Sequence, residues 1–407
     1  MTVGSAPRSN IDHYWIRGPW VVLELGIERG CLEIKNGKII QIAQKIPANI
    51  SANILIKEYS PELYLIPGMI DLHIHGSLGF DVMDGTPEAL KIISQNLIKT
   101  GTTAYLATTM TESVSTIEKA LINIGDYRVN QIPEWGAEIL GAHLEGPFIS
   151  PSRMGAQNPG FIHKPDINLF KHWQVISNQS IRLVTLAPEV EGALELVKYL
   201  SETGVVASVG HSDASFAQAK KSMDCGVTHC THLYNAMSSF HHRTPGVALA
   251  VLEDSRVRAE LIADGIHVDP AVISFTLKTK GAAGLVLVTD AMRAQCLKDG
   301  AYDLGGQKVD VKNGAARLSE GKSAGALAGS VLKLNEAFAN IQKFSGCGIL
   351  AAVKMCCENP AKQLGVFNQK GSININKDAD LVVLDAKANV LATICRGLEL
   401  YQVKTEE

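Results

Sequence analysis

Eight apolar, strand-like runs recur through the middle of the chain, mostly separated by segments of helix length. A strand buried on both faces is almost continuously apolar, and regular alternation with helices is typical of a parallel sheet. Eight such units over about 300 residues predict an α/β fold of the (β/α)8 barrel type. A doubly wound sheet is the alternative, but no glycine-rich phosphate-binding fingerprint follows the first run. The runs cover residues 64–75, 103–110, 139–145, 181–188, 205–211, 228–235, 258–267 and 284–290.

The two ends of the chain have a different pattern. Short β-like runs alternate with turns from residue 1 to 63, including a hairpin signal at Asn36 and Gly37. Similar short runs return between residues 371 and 395. We therefore predict that residues 1–63 and 366–407 form one small β-sandwich domain, and that residues 64–365 form the barrel.

Residues 297–326 interrupt the barrel pattern after the eighth run. They include a turn signal at Asn313 and Gly314, which predicts β-hairpins. Two interpretations stay open: a flap inserted beside the carboxyl-terminal face of the barrel, or a surface excursion with no role.

Residues of metal-ligand type stand at the carboxyl-terminal ends of six of the runs. His73 and His75 are two residues apart in a strand, so their imidazoles point the same way. Imidazole is the commonest metal-ligating side chain, and barrel enzymes carry their active sites at this face. Each residue taken singly could instead be a satisfied core histidine or a capping acid, but the whole set favours a metal site. The set is His73, His75, Glu145, His211, His232, His267 and Asp290.

Composition is that of an ordinary globular enzyme, with 46% hydrophobic and 19% charged residues. Lys and Arg number 38 against 41 Asp and Glu, with no basic run, so we expect no nucleic-acid partner and no membrane binding. No uninterrupted apolar run reaches the roughly 20 residues of a membrane span, and the N-terminus lacks a signal-peptide pattern. The eight cysteines show no Cys-x-x-Cys pair, so we expect reduced thiols and a cytoplasmic location.

Six motifs carry a family resemblance: PGMIDLHIH at 67–75, HLEGPF at 143–148, GHSDA at 210–214, THLYNAM at 231–237, IADGIH at 262–267 and TDAM at 289–292. In content and order they resemble the N-acetylglucosamine-6-phosphate deacetylase family of the amidohydrolase superfamily. Segments 359–365 and 377–384 resemble the carboxyl-terminal region of that superfamily. The second and fourth motifs are specific to the deacetylases, whereas His-x-His marks only the superfamily.

The resemblance implies one or two divalent metal ions. Glu145, His211 and His232 resemble the ligands of the main catalytic metal, and this composition leaves a position open for water. His73 and His75 resemble the ligands of a second ion, which some family members lack. Zinc fits these ligands best, with iron, manganese or cobalt as alternatives.

Asp290 resembles the catalytic acid/base of the family. The chemistry supports that role independently, because a metal lowers the pKa of water and a neighbouring carboxylate can accept its proton. The same carboxylate can return a proton to the departing nitrogen, which cannot leave as an anion.

The resemblance also implies contacts to a phosphorylated amino sugar. Arg243 offers a planar fork suited to phosphate oxygens. In dimeric family members this arginine comes from the neighbouring subunit, so we expect a homodimer. The implied substrate-contacting residues are Ala156, Gln157, Asn235, Ala236, Arg243, Asp264, His267, Leu327, Ala328 and Gly329.

Gln157 departs from many relatives, which carry histidine at this position. Its amide keeps a hydrogen-bond donor but cannot carry a charge, so we expect the metal to supply most of the oxyanion stabilisation. Two further histidines receive structural roles. We expect His143 to help orient Glu145 without binding the metal itself. Strand alternation predicts that His229 and His232 point to opposite faces.

The expected reaction is hydrolysis of the acetamide of N-acetyl-D-glucosamine 6-phosphate to D-glucosamine 6-phosphate and acetate. The nearest alternative substrate is N-acetylgalactosamine 6-phosphate, which differs at one hydroxyl. A cyclic-amide hydrolase of the dihydroorotase type is less favoured, because those enzymes typically bridge two metals with a carboxylated lysine where this chain has Glu145. A non-catalytic sugar-phosphate sensor would be favoured by the loss of a ligand or of Asp290, and none is lost.

Overall fold

The computed structural model of the chain describes residues 12–321 and 323–403. Residues 1–11 and 404–407 of the predicted small domain, and residue 322 of the predicted flap, lie outside the described residues. In the part that is described, no helix is long and apolar enough to cross a membrane.

The middle of the chain forms an eight-stranded parallel barrel, as predicted. Neighbouring strands pair in chain order, and the first strand meets the segment just past the last strand, where the Asp290 amide donates to the His73 carbonyl at 2.8 Å. This arrangement gathers the carboxyl-terminal ends of all eight strands at one rim. The barrel strands are Met69–Ile74, Thr102–Thr109, Glu138–Glu145, Ile181–Leu186, Val206–Val209, Val227–Cys230, Arg258–Ile262 and Leu285–Val288.

Helices alternate with these strands. Several begin at side chains that satisfy free backbone N–H groups, such as Ser215, which forms a capping box with Gln218. A π-helical turn, Lys354–Glu358, separates the last two helices. The helices are Pro87–Leu97, Val114–Asn130, Ile167–Ile176, Ala193–Glu202, Phe216–Cys225, Val247–Glu253, Pro270–Lys280, Leu334–Ser345, Ile349–Val353 and Asn359–Gln363.

Two further sheets come from the ends of the chain. One combines both ends, in the order Leu398–Gln402, Val390–Cys395, Leu381–Leu384, Tyr64–Pro67, Trp20–Val22 and Ile27–Arg29. The other comes from the N-terminal part alone, in the order Lys38–Ala43, Cys31–Lys35, His13–Arg17 and Leu55–Glu58. Side chains of both sheets share one buried cluster, including Ile16 and Leu32 of the second sheet with Leu65 and Leu381 of the first. This is the layering of a sandwich.

The first predicted barrel strand, 64–75, is wrong as a single element. Its first part, Tyr64–Pro67, pairs with Trp20–Val22 and Leu381–Leu384 in the terminal sheet, and the barrel begins at Met69. Gly68 lies between them, where a Cβ atom would stand 2.0 Å from Thr103 Oγ1. We propose that the small domain extends to Pro67, four residues past the boundary that the sequence pattern predicts at 63/64.

Five strands end at least two residues earlier than predicted. The runs 181–188, 205–211, 228–235, 258–267 and 284–290 stop at Leu186, Val209, Cys230, Ile262 and Val288. The strands that stop at Val209, Cys230 and Val288 are each followed, two residues later, by a residue with a left-handed backbone.

Residues 297–326 include a three-stranded antiparallel sheet, Gly300–Leu304, Gln307–Lys312 and Ala315–Leu318. Leu304, Val309 and Leu318 of this sheet are buried together with Met110 and Met292, which follow the second and eighth barrel strands. We call this sheet the flap. Its packing places it at the carboxyl-terminal rim rather than in an unconnected surface excursion.

Lys370 joins the small domain to the barrel. Its Nζ lies 2.6 Å from Glu138 at the start of the third barrel strand, 2.8 Å from Asp378 and 2.6 Å from Asp380. Burial disfavours the ammonium form, but the three carboxylates outweigh burial and raise the pKa of Lys370 above its usual value. The buried ammonium group therefore neutralises acids from both parts of the structure.

We predict that Lys370→Met lowers the free energy of unfolding by about 3–5 kcal/mol, because it leaves buried carboxylates without a counter-charge. Urea unfolding measures the loss. The matched control is Lys308→Met, which removes an exposed ion pair with Glu320 and should cost less than about 1 kcal/mol. Equal losses in the two variants would contradict the proposed role of Lys370.

Candidate active site

Glu145, His211 and His232 meet at the carboxyl-terminal rim of the barrel. Glu145 is the last residue of its strand, and the two histidines follow the fifth and sixth barrel strands. Glu145 Oε1 lies 3.1 Å from Nε2 of each histidine, and the two Nε2 atoms are 3.1 Å apart. All three residues are buried. The three donor atoms thus form a compact triangle.

His73, His75 and Asp290 form a second group beside the first. The Nε2 atoms of His73 and His75 are 3.2 Å apart, and Asp290 Oδ1 lies 3.3 Å and 3.2 Å from them. Glu145 stands between the two groups, since its Oε1 lies 3.5 Å from His73 Nε2 and its Oε2 lies 3.3 Å from His75 Nε2.

The hydrogen bonds behind the rings show that both groups fit a cation. His211 Nδ1 lies 2.9 Å from the carbonyl oxygen of Arg153, which can only accept, so this nitrogen carries the ring proton. In the neutral ring, Nε2 then presents a lone pair to the Glu145 carboxylate. His73 is arranged in the same way, with Nδ1 2.9 Å from Glu260 Oε2. The Nε2 lone pairs and the carboxylate oxygens are all hydrogen-bond acceptors, and at these distances they repel one another unless a positive charge lies between them.

The charge state of the metal-free chain supports the same conclusion. Burial disfavours the charged form of His73, but Asp290, Glu145 and Glu260 outweigh burial and raise the pKa of His73 well above its usual value. Burial also opposes the charged form of His75, but Asp290 and Glu145 raise its pKa to about 9. Protons therefore occupy these nitrogens when no metal ion does.

Asp290 is ionised at this position. Burial favours its neutral acid, but His73 and His75 outweigh burial and hold the pKa of Asp290 below its usual value. The side chain is therefore a carboxylate at neutral pH, and it lines the cavity beside both groups. A carboxylate in this state can accept a proton.

Three of these residues have a strained backbone. His211, His232 and Asp290 have φ values of 47°, 30° and 50°, in the left-handed region that non-glycine residues avoid. Such conformations cost about 1–3 kcal/mol each and cluster at functional sites. These left-handed turns also explain why the strands that stop at Val209, Cys230 and Val288 end early, since each turn directs a side chain into the rim.

A cavity of about 300 Å³ opens over the two groups. The flap closes one side of it through Leu304, and the segment that follows the flap contributes Ala326 and Leu327. Most of the residues predicted from the sequence meet here. Those that line the cavity are His75, Glu145, Ala156, Gln157, His211, His232, Asn235, Ala236, His267, Asp290, Leu327 and Gly329.

Three residues predicted to contact substrate do not line this cavity. Asp264 instead holds His267, with Oδ2 2.6 Å from His267 Nδ1. Ala328 is buried in the core of the flap, and its amide donates to Ala316 O at 3.1 Å. Arg243 is exposed in the loop after the sixth strand, and its guanidinium contacts His242 Nε2 at 2.8 Å. The substrate contact of Arg243, which the resemblance implies from a neighbouring subunit, stays a prediction.

Gln157 lines the cavity, but its amide is already engaged. Its Oε1 accepts from the Thr111 amide at 2.7 Å, and its Nε2 donates to Glu145 Oε2 at 2.8 Å. A backbone N–H can only donate, so the orientation of the Gln157 amide is determined by Thr111. Gln157 therefore anchors Glu145, a role that the family resemblance did not imply.

Sequence reasoning also missed Glu260. This residue is fully buried in the seventh barrel strand and contacts His73, His229 and the backbone of His232. A glutamate inside the apolar strand Arg258–Ile262 was the available signal, because acids are almost never fully buried without partners. The prediction for His229 used strand alternation up to His232, but the strand ends at Cys230, and His229 also reaches Glu260.

His143 lies beneath the rim. Its Nε2 contacts Thr185 Oγ1 at 2.7 Å, and its Nδ1 lies 3.2 Å from the Leu72 carbonyl. Burial, with a further contribution from His73, lowers the pKa of His143 to about 3, so the ring is neutral. It is placed to support the third strand rather than to carry charge.

The comparisons with known proteins agree with this geometry. The profile of the amidohydrolase family matches residues 64–400. The chain belongs to the amidohydrolase family. It is 43% identical to the N-acetylglucosamine-6-phosphate deacetylase of Bacillus subtilis (strain 168) over 91% of this chain and 92% of the relative. It is also 37% identical to an N-acetylgalactosamine-6-phosphate deacetylase of Escherichia coli O157:H7, over 88% of this chain and 91% of the relative.

Solved structures of amidohydrolases share the whole fold. The N-acetyl-D-glucosamine-6-phosphate deacetylase of Mycobacterium smegmatis, solved as a mutant with N-acetyl-D-glucosamine-6-phosphate, superposes with a TM-score of 0.88 at 31% identity over 96% of this chain and all of that chain. The enzyme from Thermotoga maritima gives a TM-score of 0.85 at 34% identity, with the same coverage. Membership of the amidohydrolase family implies a divalent metal, and the groups Glu145–His211–His232 and His73–His75–Asp290 are candidates to hold it.

Proposed function

We propose that this chain is a metal-dependent deacetylase that hydrolyses N-acetyl-D-glucosamine 6-phosphate to D-glucosamine 6-phosphate and acetate. One observation carries the proposal: two groups of metal-ligand side chains and an ionised aspartate converge on a single cavity. The chain that builds this cavity is 43% identical, over nearly its full length, to a protein named for this reaction.

We propose that Glu145, His211 and His232 hold the main ion, and that His73 and His75 hold a second one with Glu145 between them. Zinc fits imidazole and carboxylate ligands best, with iron, manganese or cobalt as alternatives. A divalent ion bound here polarises the acetyl carbonyl and lowers the pKa of water. Gln157 holds one oxygen of Glu145 in place during the reaction.

We assign the proton transfers to Asp290. Water adds through oxygen to the acetyl carbon, and the Asp290 carboxylate accepts a proton from that water. The bond between the carbon and the nitrogen then breaks, and Asp290 returns the proton to the nitrogen. The immediate products are acetic acid and the free amine of the sugar, and ionisation of the acid passes its proton to the amine, which gives acetate and an ammonium group, so atoms and charge balance.

Asp290→Asn should lower kcat by about 10²–10⁴-fold, because the amide cannot accept the proton. Bound metal should persist, since asparagine keeps an oxygen at the same position. Acetate release and elemental analysis measure the two quantities. The matched control is Asp310→Asn on the exposed side of the flap, which should retain wild-type turnover. Near-normal turnover in Asp290→Asn would remove Asp290 from the mechanism.

The sugar is tested by acetate release from N-acetylglucosamine 6-phosphate, its galacto epimer and unphosphorylated N-acetylglucosamine, using metal-stripped and zinc-reconstituted protein. We expect the phosphorylated gluco sugar to give the highest kcat/KM, about tenfold or more above the unphosphorylated one, because charged hydrogen bonds to phosphate are lost without it. Activity should disappear on stripping and return with zinc.

Other outcomes of this assay identify the alternatives. A higher kcat/KM for the galacto epimer would favour the N-acetylgalactosamine 6-phosphate activity, which the relative in Escherichia coli O157:H7 is named for. Opening of dihydroorotate without acetate release would indicate a cyclic-amide hydrolase. Sugar-phosphate binding without turnover in zinc-loaded protein would indicate a sensor.

We propose that the phosphate is held by the backbone near Asn235 and Ala236, by His267, and by Arg243 from the other subunit of a homodimer. Arg243 is exposed and does not line the cavity of its own chain, which supports a contact with the cavity of a second subunit. Arg243→Ala should therefore raise KM for the phosphorylated sugar. Mixing refolded Arg243→Ala and Asp290→Asn chains should restore about a quarter of wild-type activity, since half of the dimers gain one intact site. Sedimentation as a monomer, or no recovery on mixing, would contradict the dimer.

The eight cysteines are all free thiols, four of them among the fully buried apolar residues. Reduced thiols are typical of cytosolic proteins, and on this basis we propose a cytoplasmic location, which cell fractionation checks.

A further inference from the structure

Glu260 is the carboxylate behind both candidate metal groups. Its Oε2 lies 2.9 Å from His73 Nδ1 and also accepts from the backbone amide of His232 at 3.0 Å. Its Oε1 lies 3.1 Å from His229 Nε2. The side chain is fully buried and does not line the cavity, so it reaches neither substrate nor solvent.

The contact with His73 determines what that ring presents to the rim. Because Glu260 is a carboxylate acceptor, His73 Nδ1 carries a proton, and Nε2 faces His75 and Asp290. A carboxylate behind an imidazole raises the basicity of the opposite nitrogen and holds the ring in position. The negative charge of Glu260 therefore acts on the His73–His75–Asp290 group.

The contact with His232 is of a different kind. Glu260 holds the backbone of this residue, whose φ of 30° is strained, and not its ring. His232 Nδ1 has no hydrogen-bond partner among the described residues. Here the oxygen serves as an acceptor that keeps the turn in place, and the ring of His232 points to Glu145 as a consequence.

We propose that Glu260 is a positioning residue that couples the two metal positions: its charge sets the affinity of the His73–His75 position, and its oxygen sets the geometry of the His232 position. This inference rests on the metal-dependent function proposed above. The inference assigns a role to a residue that belongs to neither the Glu145–His211–His232 group nor the His73–His75–Asp290 group.

The variant Glu260→Gln separates charge from geometry. The amide oxygen can keep both hydrogen bonds at the Oε2 position, and the amide nitrogen can donate to His229 Nε2. His229 can then carry its proton on Nδ1, which has no partner in the described part of the chain. Every hydrogen bond of Glu260 survives, while the negative charge is lost and the His229 proton moves to Nδ1. Glu260→Leu, by contrast, removes the acceptor for both His73 and His232.

The experiment titrates metal-stripped protein with Co²⁺, followed by calorimetry and visible absorption, and counts Zn²⁺ per chain by elemental analysis. In Glu260→Gln we expect the ion at the His73–His75 position to bind about 10–100-fold more weakly. The ion at the Glu145–His211–His232 position should keep its affinity within about twofold. At saturating metal, kcat should recover with KM unchanged. In Glu260→Leu we expect both ions to bind more weakly.

The matched control is Glu358→Gln. Glu358 is a largely buried glutamate of the π-helical turn, where it pairs with Lys362 and contacts none of the metal-ligand residues, so this variant should bind both ions as the wild type does. Wild-type affinities in Glu260→Gln would overturn the proposal, as would a single ion per wild-type chain. A lower melting temperature of metal-free Glu260→Gln with unchanged metal affinity would show a purely structural role. Metal binding is measured without substrate, so two bound ions without acetate release would contradict the proposed function and leave this inference standing.

Discussion

The candidate site depends on positive charge held among buried acceptors. Glu145 lies within 3.5 Å of the Nε2 atoms of His73 and His211, and Asp290 lies 3.3 Å from Nε2 of His73. The neutral rings of His73 and His211 carry their protons on Nδ1, so their Nε2 lone pairs face these carboxylates unfavourably. Burial strengthens both the repulsion without a cation and the attraction with one. The same charge requirement raises the pKa values of His73 and His75 in the metal-free chain, so protons and metal ions compete for one set of nitrogens.

The barrel supplies the rigid frame that this charge arrangement needs. Donor atoms from five different strand ends meet because parallel strands deliver their carboxyl ends to one rim. The left-handed turns at His211, His232 and Asp290 then direct the side chains inward. The hydrogen bonds of the eighth strand with His73 and the contact of Glu260 with His232 hold these strained turns in place. Contacts with the rest of the barrel therefore stabilise the strained turns of the site.

Two additions complete the barrel on different sides. The flap packs on Met110 and Met292 and closes one wall of the cavity, which makes the space above the metal groups small and partly apolar. The small domain is tied to the barrel through Lys370, which pairs with Glu138, an acid far from it along the chain. The barrel therefore carries the chemistry, while its neighbours shape access to the cavity and stabilise the start of the third strand.

Local pattern was enough to predict the barrel, the small domain built from both ends of the chain and the ligand-type residues at the strand ends, because strand alternation and apolar runs are properties of neighbouring residues. The other cavity residues were implied by the family resemblance. Local pattern also placed His73 and His75 on one face, since two residues in a strand share a direction. Local pattern did not predict contacts between residues that are far apart in the chain. Only the packed structure pairs Glu260 with His73 and Gln157 with Glu145, divides 64–75 between two sheets at Gly68, and leaves Arg243 outside the cavity. Those outcomes depend on which surfaces meet after the barrel closes, and no local periodicity contains that information.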